Sequence, residues 1–580
     1  MKYAQTWLLD SLFPGGSTSP QFVDFLKDIS AQIHSVQELL KEPTNLQKAI
    51  LAWQDIHERL SQTSSFVGCL IAQNVQDTQA EQWQGHLSDL GAALANVSEV
   101  IDEQLKQMSD AEFQTLTQQN DFQAIAYPLS YRRQRAKGKL GLAQERLIND
   151  LSVDGYHGWS QIYGTLIGQV VIPVNGRDLS WGQTYNLLSH SDRSVRKAAF
   201  ESSNVVWKQQ KQFFSSILNH IAGFRLKFYE RRGWPVLKEP LDINRMSAQT
   251  LETMWRVIEK NKQPFVDYME RKARHLGLKQ LHWYDLEAPF STDSESKTSS
   301  ISYDEAADFI ITHFSEFSPK MGDYARMAFE KRWIEAEDRG HKRPGGFCTD
   351  VPLQKESRIF MTYSGTKESM VTLAHELGHA YHNHVIFDLP ELARHFPMNL
   401  AETASTFAEM VVSEATLKIE KDPAKRLALL DGRLQRSVAY LFNIHARYLF
   451  DLAFHEQRKR GTLSAEQLCT LMEECQKQAY CGTLEEYHPY FWASKMHFSS
   501  TGVPFYNFPY TFGYLFSLGV YLRAMEESPF EERYNALLAD TGRMSAEDLA
   551  QKHLGVDLRQ EGFWQHTIDY LKQDAKEFCK

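Results

Sequence analysis

Cysteine is scarce in this chain. The 580 residues contain six cysteines, and no two of them form a C-x-x-C pair. A disulfide framework and a cysteine-based zinc site are therefore both disfavoured. Scarce cysteine without a pattern fits a reducing compartment, so the sequence predicts a cytoplasmic protein.

Long apolar runs and basic runs are missing as well. No uncharged apolar stretch reaches the length that spans a membrane. The first residues, MKYAQTWLLDSLFPGG, lack the long apolar core and the small-residue cleavage site of a signal peptide. The formal net charge is -10, without a cluster of lysines and arginines. We therefore expect neither a membrane nor nucleic acid as a partner.

What is present is the composition of a folded globular protein, with 42% hydrophobic and 23% charged residues. A chain of this length is too long for one compact core, which predicts more than one lobe. Most of the chain has apolar residues at helical spacing. One example follows Ser19 and Pro20, a predicted N-cap and first-turn proline, with an apolar face from Phe22 to Leu40.

Strand signals are few. The sequence GQVVIPVNG, residues 168–176, predicts a short β excursion that ends in a turn, and a new helical series begins near Trp181. We place a domain boundary close to this point. It separates a helical N-terminal domain, residues 1–185, from a second domain, residues 186–580.

Two further breaks lie in the second half of the chain. The polar, serine-rich segment 291–300 precedes a predicted capping box of Ser302 and Glu305, which restarts a helix. The turn-forming sequence GHKRPGGFC, residues 340–348, precedes the β-prone segment SRIFMTY, residues 357–363. The predicted fold class is mainly α, with a small antiparallel sheet beside the helix described next.

That helix carries the motif H-E-x-x-H, from His375 to His379. Thr366 is a predicted N-cap, and apolar residues recur at helical spacing behind it. Residues four apart lie on one face of a helix, so both imidazoles can bind one ion, and the carboxylate of Glu376 can reach a water on that ion. The alternative is a helix with two ordinary histidines. It requires a chance match, which we expect in roughly a few per cent of comparable chains.

Catalytic zinc needs a third protein ligand. His382 lies on the same face as His375, but about 10 Å of helix rise separates them, too far for one ion to bind both and His379. A metzincin extension would need a glycine and a histidine at the positions of His382 and Val385. The remaining pattern is a carboxylate on the following helix, Glu402, which could instead complete a capping box with Asn399.

The neighbours of this carboxylate have weaker claims to the metal. Glu409 is seven residues after Glu402 on the same helix face, which favours a role as hydrogen-bond acceptor for a ligand imidazole. Asp388, Glu391 and His395 lie in the connecting segment and are weaker candidates for the third ligand.

Several segments together resemble one family. HELGHAYH followed by AETASTFAEM resembles the M3 peptidases, the thimet-oligopeptidase-like group. The sequences PGGFC, SRIFMTY and FYNFPYTFGYLF resemble its branch of bacterial oligoendopeptidase F-like enzymes. The resemblance covers roughly residues 190–580, and the helical region before it resembles the amino-terminal domain of the family less specifically.

The resemblance implies an α-rich, bowl-like peptidase with a deep cleft and one zinc ion per chain, which cleaves short peptides and not folded proteins. It makes residues 186–580 the catalytic domain. By position, His375, His379 and Glu402 match the zinc ligands of the family, and Glu376 matches its catalytic glutamate.

The resemblance also assigns residues further along the chain. His497 matches the substrate-loop histidine of the family, and Tyr514 matches the tyrosine that stabilises the tetrahedral oxyanion. Tyr506 and Tyr510 are expected to bind substrate, although the tyrosine spacing differs from that of the mammalian enzymes. A packed helix residue is the alternative interpretation of His497 and Tyr514.

These parts predict a mechanism. Zinc lowers the pKa of its bound water and polarises the scissile carbonyl, and Glu376 passes the water proton to the leaving amine. Residues 357–363 are a predicted edge strand that pairs with an extended peptide, with Phe360 and Met361 in contact with substrate. An ordinary structural hairpin is the alternative interpretation of this segment. Cys348 is expected to be an unreactive buried thiol rather than a redox sensor.

The sequence therefore predicts a zinc metalloendopeptidase for short unfolded peptides. A zinc carboxypeptidase or carboxydipeptidase is the alternative among enzymes. A zinc peptide-binding protein without turnover is disfavoured by Glu376, and a structural zinc protein should have a fourth protein ligand. The preferred residues of the substrate and the oligomeric state stay open.

Overall fold

The computed structural model describes residues 2–290, 300–527 and 529–580. Helices dominate the described residues. They are α1 Pro20–Leu39, α2 Leu46–Gln73, α3 Thr78–Gln107, α4 Asp110–Thr117, α5 Asn120–Gln123, α6 Ala126–Lys137, α7 Leu142–Ser152, α8 Gly158–Gln169, α9 Trp181–Asn186, α10 Arg193–Arg232, α11 Lys238–Ile243, α12 Ala248–Lys260, α13 Gln263–His275, α14 Tyr303–Phe317, α15 Pro319–Glu330, α16 Lys367–Ile386, α17 Glu391–Arg394, α18 Met398–Ala401, α19 Thr403–Ile419, α20 Pro423–Val438, α21 Ile444–Arg458, α22 Ala465–Ala479, α23 Phe491–Ser494, α24 Phe508–Glu526, α25 Glu531–Asp540, α26 Ala546–Leu554 and α27 Glu561–Cys579.

The strands are short. They are β1 Val171–Val174, β2 Arg177–Ser180, β3 Leu281–His282, β4 Ile334–Glu335, β5 Phe347–Val351, β6 Glu356–Phe360 and β7 Leu484–Glu486. Strands β1 and β2 form an antiparallel hairpin, β3 and β7 form a parallel pair, and the third sheet has the order β4-β6-β5. The mainly α fold that we predicted is confirmed.

The local signals in the sequence correspond to observed elements. The side chain of Ser19 caps α1, whose buried face runs from Phe22 to Val36. The predicted β excursion is the β1–β2 hairpin, and its turn residue Asn175 has a positive φ. Ser302 and Glu305 form the expected capping box. The predicted serine-rich segment 291–300 lies outside the described residues, apart from its last residue.

The chain divides into two compact units, each built from three separate segments. Unit 1 comprises residues 1–139, 296–416 and 520–555, and unit 2 comprises the segments between and after them. The boundary expected near residues 185 and 186 falls inside unit 2, and the division into two sequential domains stays a prediction. Among the described residues, we find no helix whose length and apolar character would suit a membrane crossing.

Unit 1 has a core that joins distant parts of the sequence. Buried residues of α1, α2 and α3 pack in one cluster with Val351 of β5, Phe360 of β6 and Leu392 of α17. The rings of Phe13, Phe22 and Phe66 pack against one another in this cluster, in edge-to-face and tilted arrangements, at centroid distances of 5.0 to 5.3 Å. The amino-terminal helices therefore share their core with the sheet that precedes α16.

Unit 2 is organised around α10, which has 40 residues. At its start, the buried guanidinium of Arg196 forms an ion pair of 3.0 Å with Asp285, which is buried too. Arg193 pairs with the same carboxylate at 3.0 Å. Two guanidinium groups compensate one buried carboxylate and so fix the start of this long helix in its unit.

Candidate metal centre

Helix α16 begins directly after the mixed sheet of unit 1. Thr366 is its N-cap and accepts a hydrogen bond from the backbone N–H of Ser369, whose own side chain completes a capping box. The preceding Gly365 has a φ of 75°, a conformation that favours glycine. The start of the helix is thus fixed two turns before the histidines of the motif.

The two motif histidines lie side by side on one face of α16. The Nε2 atoms of His375 and His379 are 3.2 Å apart, and the two rings meet edge to face at a centroid distance of 4.7 Å. The spacing of four residues produces this convergence, as we expected from the sequence. Each side chain is about a quarter exposed, at 24% and 23%.

Glu402 completes a triangle of ligand atoms. Its Oε2 lies 3.4 Å from Nε2 of His375 and 3.4 Å from Nε2 of His379. These separations are long for charged hydrogen bonds, which cluster near about 2.8 Å. They match the edge of a tetrahedron with zinc at its centre, roughly 3.3 Å for metal–ligand distances near 2.05 Å. The triangle fits a zinc ion better than it fits an ion-paired cluster.

Supporting groups hold two of the ligands in place. The carboxylate of Glu409 accepts a 2.6 Å hydrogen bond from Nδ1 of His375. The other ring nitrogen of His375, Nε2, is then directed at the other ligands. Ser405 donates a 2.7 Å hydrogen bond to Oε2 of Glu402. Burial opposes a charged His375 ring, but the hydrogen bond and the charge of Glu409 outweigh it and raise the pKa of His375 to about 9. The site therefore favours positive charge, which a metal ion supplies.

Glu402 lies at the junction of α18 and α19. The N-cap of α18 is Pro397, and the structure records no side-chain capping bond there. Glu402 follows the last residue of α18, and its carbonyl accepts the first hydrogen bond of α19 from Thr406. Its side chain is 28% exposed and faces the two histidines. The carboxylate is therefore placed beside the two imidazoles, and its role as a ligand stays a prediction.

Glu376 is the most buried of the three glutamates at this site, with a relative exposure of 6%, against 28% for Glu402 and 13% for Glu409. Burial raises the pKa of this carboxyl, although the two neighbouring imidazoles act in the opposite direction. Gly346, in the turn that precedes β5, lies beside the carboxylate of Glu376. A Cβ atom built on Gly346 would be 3.4 Å from Oε1 of Glu376. A glycine at this position leaves space next to the carboxylate.

The number of ligands and their exposure distinguish two kinds of zinc site, a catalytic site with an open position and a closed structural site. Among the described residues, only His375, His379 and Glu402 bring ligand atoms together at this point, without a fourth His, Cys, Asp or Glu. Partial exposure of all three leaves a coordination position for water or substrate, which is the pattern of catalytic zinc sites.

His382 has a structural role, as the helix geometry indicated. It is 1% exposed, its Nε2 lies 2.9 Å from Oγ1 of Thr541, and its ring stacks on Phe396 at 4.3 Å. Burial lowers the pKa of His382 to about 3. These contacts are consistent with the expectation that His382 is not a ligand of the same ion.

The prediction that residues 357–363 form an edge strand is wrong. Strand β6, Glu356–Phe360, lies in the middle of its sheet, with β4 parallel on one side and β5 antiparallel on the other. Phe360 and Met361 are 0% and 2% exposed. Phe360 stacks on Phe347 at 5.2 Å, so its side chain belongs to the core. The edge of this sheet that lies nearest to Glu376 is β5.

Cys348 on β5 is partly buried, and its surroundings disfavour the thiolate. Burial and the nearby charge of Glu376 raise the pKa of its thiol well above the usual range. A thiol that resists ionisation is a poor nucleophile and a poor redox sensor. The expectation of an unreactive buried thiol is consistent with this environment.

The other predicted site residues belong to unit 2. The rings of His497, Tyr506 and Tyr510 form a cluster with centroid distances of 5.0 to 5.9 Å. All three side chains are partly exposed. Burial, assisted by the positive charges of Arg447 and Lys495, lowers the pKa of His497 to about 3, so the ring is neutral near pH 7.

Tyr514 lies apart from that cluster. It is 4% exposed, its hydroxyl lies 3.1 Å from Oγ of Ser437, and its ring stacks on Tyr440 at 4.5 Å. These contacts favour the packing interpretation that the sequence left open. The oxyanion role of Tyr514 stays a prediction.

Sequence reasoning missed Ser405, which donates to Glu402. The sequence spacing could have identified Ser405, because on a helix a residue three positions after a ligand lies beside that ligand. It also left Glu391 and His395 as weak candidates for the third ligand. The structure places both in a separate cluster with His57.

Comparisons with known proteins identify the family of this chain. The model of peptidase family M3 matches residues 186–569, and a model described as oligopeptidase F matches residues 104–171. Group B oligopeptidase PepB of Streptococcus agalactiae is 24% identical over 85% of this chain and 81% of its own length. Oligopeptidase PepF of Bacillus subtilis is 21% identical over 96% and 84%.

A solved structure shares the fold. The crystal structure of oligoendopeptidase-F from Enterococcus faecium superposes with a TM-score of 0.70 at 19% identity, over 98% of this chain and 99% of that one. The family match covers well over half of the chain, and the resemblance found in the sequence is confirmed. The chain belongs to peptidase family M3 and is a peptidase, a hydrolase of peptide bonds.

Proposed function

We propose that this peptidase is a zinc-dependent oligoendopeptidase that hydrolyses internal bonds of short unfolded peptides. The observation that carries the proposal is the triangle of His375, His379 and Glu402, with edges of 3.2, 3.4 and 3.4 Å beside the carboxylate of Glu376. Two imidazoles and one carboxylate are a donor set typical of catalytic zinc. When bound, the ion would polarise the scissile carbonyl and make a water molecule acidic enough to attack near neutral pH.

Glu376 is proposed as the general base. Its burial raises the pKa of the carboxyl above that of an exposed glutamate, which brings its basicity closer to the working pH. It accepts the proton of the attacking water and then donates that proton to the nitrogen of the leaving amine. Gly346 leaves room beside its carboxylate.

His497, Tyr506 and Tyr510 are proposed as the groups that contact the substrate carbonyl from the segment 496–510. A neutral imidazole and phenol hydroxyls donate hydrogen bonds without carrying charge, which suits an oxygen that becomes negative only in the transition state. The resemblance assigns Tyr514 to this role as well. Its hydroxyl already has a partner in Ser437, so its support is weaker.

The peptide backbone is proposed to pair with β5. The backbone N–H of Ile359 on β6 donates to the carbonyl of Trp333, on the side of β4. Cys348 of β5 lies opposite Ile359 in the antiparallel register. Because Ile359 directs its backbone groups away from β5, the pair is not hydrogen-bonded, and Cys348 directs its own backbone groups away from β6. This edge starts next to Gly346 and therefore next to Glu376. Pairing through the backbone gives affinity with little dependence on side chains.

The relatives named oligoendopeptidase F favour endopeptidase activity over the alternative of a carboxydipeptidase. The same names disfavour a zinc-bearing peptide-binding protein without turnover. We also propose that the enzyme works in the cytoplasm. The six cysteines are free thiols in the structure, which suits a reducing compartment.

The test combines metal analysis with product analysis. The purified chain should contain one zinc at the His375–His379–Glu402 site and should cut an internally quenched nonapeptide at an internal bond, which mass spectrometry of the products identifies. Glu376→Gln should keep this zinc and lose turnover by on the order of 10²–10⁴-fold, because only the base is removed. Release of carboxyl-terminal dipeptides alone would assign the carboxydipeptidase activity instead. Full turnover by a verified metal-free sample would refute the zinc mechanism.

A further inference from the structure

Two cationic side chains lie near the ring of Phe491 in unit 2. Nζ of Lys495 is 5.5 Å from the centroid of this ring, and Cζ of Arg447 is 5.0 Å from it. We propose that Lys495 and Arg447 form a subsite that binds a carboxylate group of the peptide substrate. This inference rests on the proposed peptidase function and names a chemical feature of its substrate.

Both cations are connected to the residues that carry the proposed substrate-binding rings. Lys495 is two residues before His497. Arg447 donates a 3.4 Å hydrogen bond to Oδ1 of Asn507, whose carbonyl accepts one of 3.1 Å from the backbone N–H of Tyr510. A carboxylate bound by the two cations would therefore belong to a peptide that also reaches those rings.

Neither cation has a carboxylate partner among the described residues. Arg447 is 9% exposed, and its hydrogen bonds go to two neutral amides, those of Asn443 and Asn507. Nζ of Lys495 makes no hydrogen bond or ion pair within the described part of the chain, and lies 4.1 Å from the centroid of the Tyr185 ring. Buried charge without a partner is costly, and a carboxylate ligand would offset that cost.

The acidic groups that act on the two cations do not cancel their charge. Asp451 accepts a 3.0 Å hydrogen bond from Asn507, and burial raises the pKa of its carboxyl to about 7. Glu287 is exposed and accepts a 2.9 Å hydrogen bond from the hydroxyl of Tyr185. The region therefore keeps positive charge near neutral pH, which favours an anionic ligand.

The two cations suit a carboxylate in different ways. A guanidinium stays charged at neutral pH and can donate two parallel hydrogen bonds to one carboxylate. Burial and the nearby charge of Arg447 lower the pKa of Lys495 to about 7. A carboxylate in contact with this amine favours its protonated form, so ligand binding and protonation of Lys495 support each other.

A peptide offers a carboxylate from two sources. Every linear peptide has one at its carboxyl terminus, and aspartate and glutamate side chains supply others. Recognition of the terminal carboxylate would add selectivity for short chains without a requirement for any particular side chain. Recognition of an acidic side chain would instead make cleavage depend on the sequence of the peptide.

Kinetics on matched peptides test the subsite. Internally quenched nonapeptides are prepared as free acids and as carboxyl-terminal amides, and a second series of amides replaces glutamine by glutamate at one position at a time. The parent should cleave one carboxylate-bearing form with a kcat/KM roughly 10- to 100-fold above that of its neutral partner, because a hydrogen bond to a charged group contributes a factor of this size. A preference for the free acid would identify the terminal carboxylate, and a preference for glutamate would identify an acidic side chain.

Substitutions at Lys495 connect the preference to the subsite. Lys495→Met removes the charge but keeps an apolar stem, and should lower the preference by on the order of 10-fold while neutral peptides are still cut. Lys495→Arg restores a cation and should retain the preference. Lys208→Met, at an exposed lysine on α10, should behave like the parent. In a Glu376→Gln background, fluorescence anisotropy with the same peptides should show the difference as a change in Kd, without turnover.

Two outcomes would overturn the subsite and leave the proposed peptidase function intact. One is a parent that cuts neutral and carboxylate-bearing peptides equally well. The other is a preference that Lys495→Met leaves unchanged. Circular dichroism checks the fold of this variant, and Lys495→Gln gives the same comparison if the methionine variant folds poorly. Failure of the parent to cut any peptide would refute the proposed function, and the Kd comparison would still decide on the subsite.

Discussion

Gly378 of α16 packs directly against Ala404 of α19. A Cβ atom at Gly378 would stand 2.6 Å from the backbone oxygen of Ala404, 2.7 Å from Cα of Ser405 and 2.8 Å from Cβ of Ala408. Real Cβ atoms do not approach backbone atoms this closely. The glycine inside the H-E-x-x-H motif thus permits the helix contact that brings Glu402 and Glu409 to the two histidines.

The first prediction follows from this contact. Gly378→Ala should lower the free energy of unfolding by about 1–3 kcal/mol, because the added methyl group must push α19 away. The zinc affinity should fall at the same time, since Glu402 and Glu409 move with α19. Urea unfolding and zinc titration measure the two effects.

A matched control is available on α3. Gly91 also lies inside a helix, but a Cβ atom there would have no heavy atom within 4 Å. Gly91→Ala should leave zinc binding unchanged and stabilise the chain by up to about 1 kcal/mol through helix propensity. If Gly378→Ala behaved like Gly91→Ala, the close approach of the two helices would not be what positions the ligands.

The second prediction concerns Glu409. Its hydrogen bond to Nδ1 of His375 orients the ring toward the ion and increases its basicity. Glu409→Gln should therefore weaken zinc binding by roughly 10- to 100-fold while the fold persists. Competition against a chromogenic chelator measures the affinity. Glu368→Gln, an exposed carboxylate on α16, should have no effect, and an unchanged affinity in Glu409→Gln would assign Glu409 to packing alone.

The third prediction distinguishes the tyrosines of unit 2. Tyr510→Phe should lower kcat by on the order of 10²–10³ with KM changed only a few-fold, because a donor to the oxyanion acts mainly in the transition state. Tyr514→Phe should instead lower stability by about 1 kcal/mol, through the lost contact with Ser437, with kcat near that of the parent. Steady-state kinetics and thermal melting on both variants give the answer. The reverse pattern would return the oxyanion role to Tyr514.

The metal ligands could be predicted from the sequence because their geometry is local. His375 and His379 are one helical turn apart, and helical spacing fixes their relative position without knowledge of the fold. Glu402 required more than spacing, since it stands at a helix junction whose approach to α16 depends on Gly378. The resemblance to a family supplied that assignment, and the distances now support it.

The edge strand and the cluster of His57, Glu391 and His395 could not be predicted because both depend on distant pairings. Strand β6 lies in the middle of its sheet because the two-residue strand β4 pairs with it, and two residues have no recognisable periodicity. His57 meets Glu391 only because α2 and α17 share one core. In the sequence, His57 is one of many helical residues with no motif around it.

The last prediction concerns pH and Asp451 in unit 2. This carboxyl is 5% exposed and accepts a 3.0 Å hydrogen bond from Asn507, and its burial raises the pKa to about 7. The unfolded chain has an ordinary aspartate pKa, so the folded state binds the extra proton between about pH 4 and 7. Stability should therefore fall as pH rises through this window, by a few kcal/mol for a shift of about three units, and then stay level above pH 7.

Asp451→Asn cannot ionise, and its urea midpoint should lack this decline. The difference between variant and parent, measured from pH 5 to 8, isolates the contribution of Asp451 from that of all other groups. Asp178→Asn, at an exposed position on β2, should follow the parent at every pH. A parallel decline in Asp451→Asn and the parent would mean that Asp451 is ionised in the folded chain throughout this range, with Arg447 and Arg225 offsetting the cost of its burial.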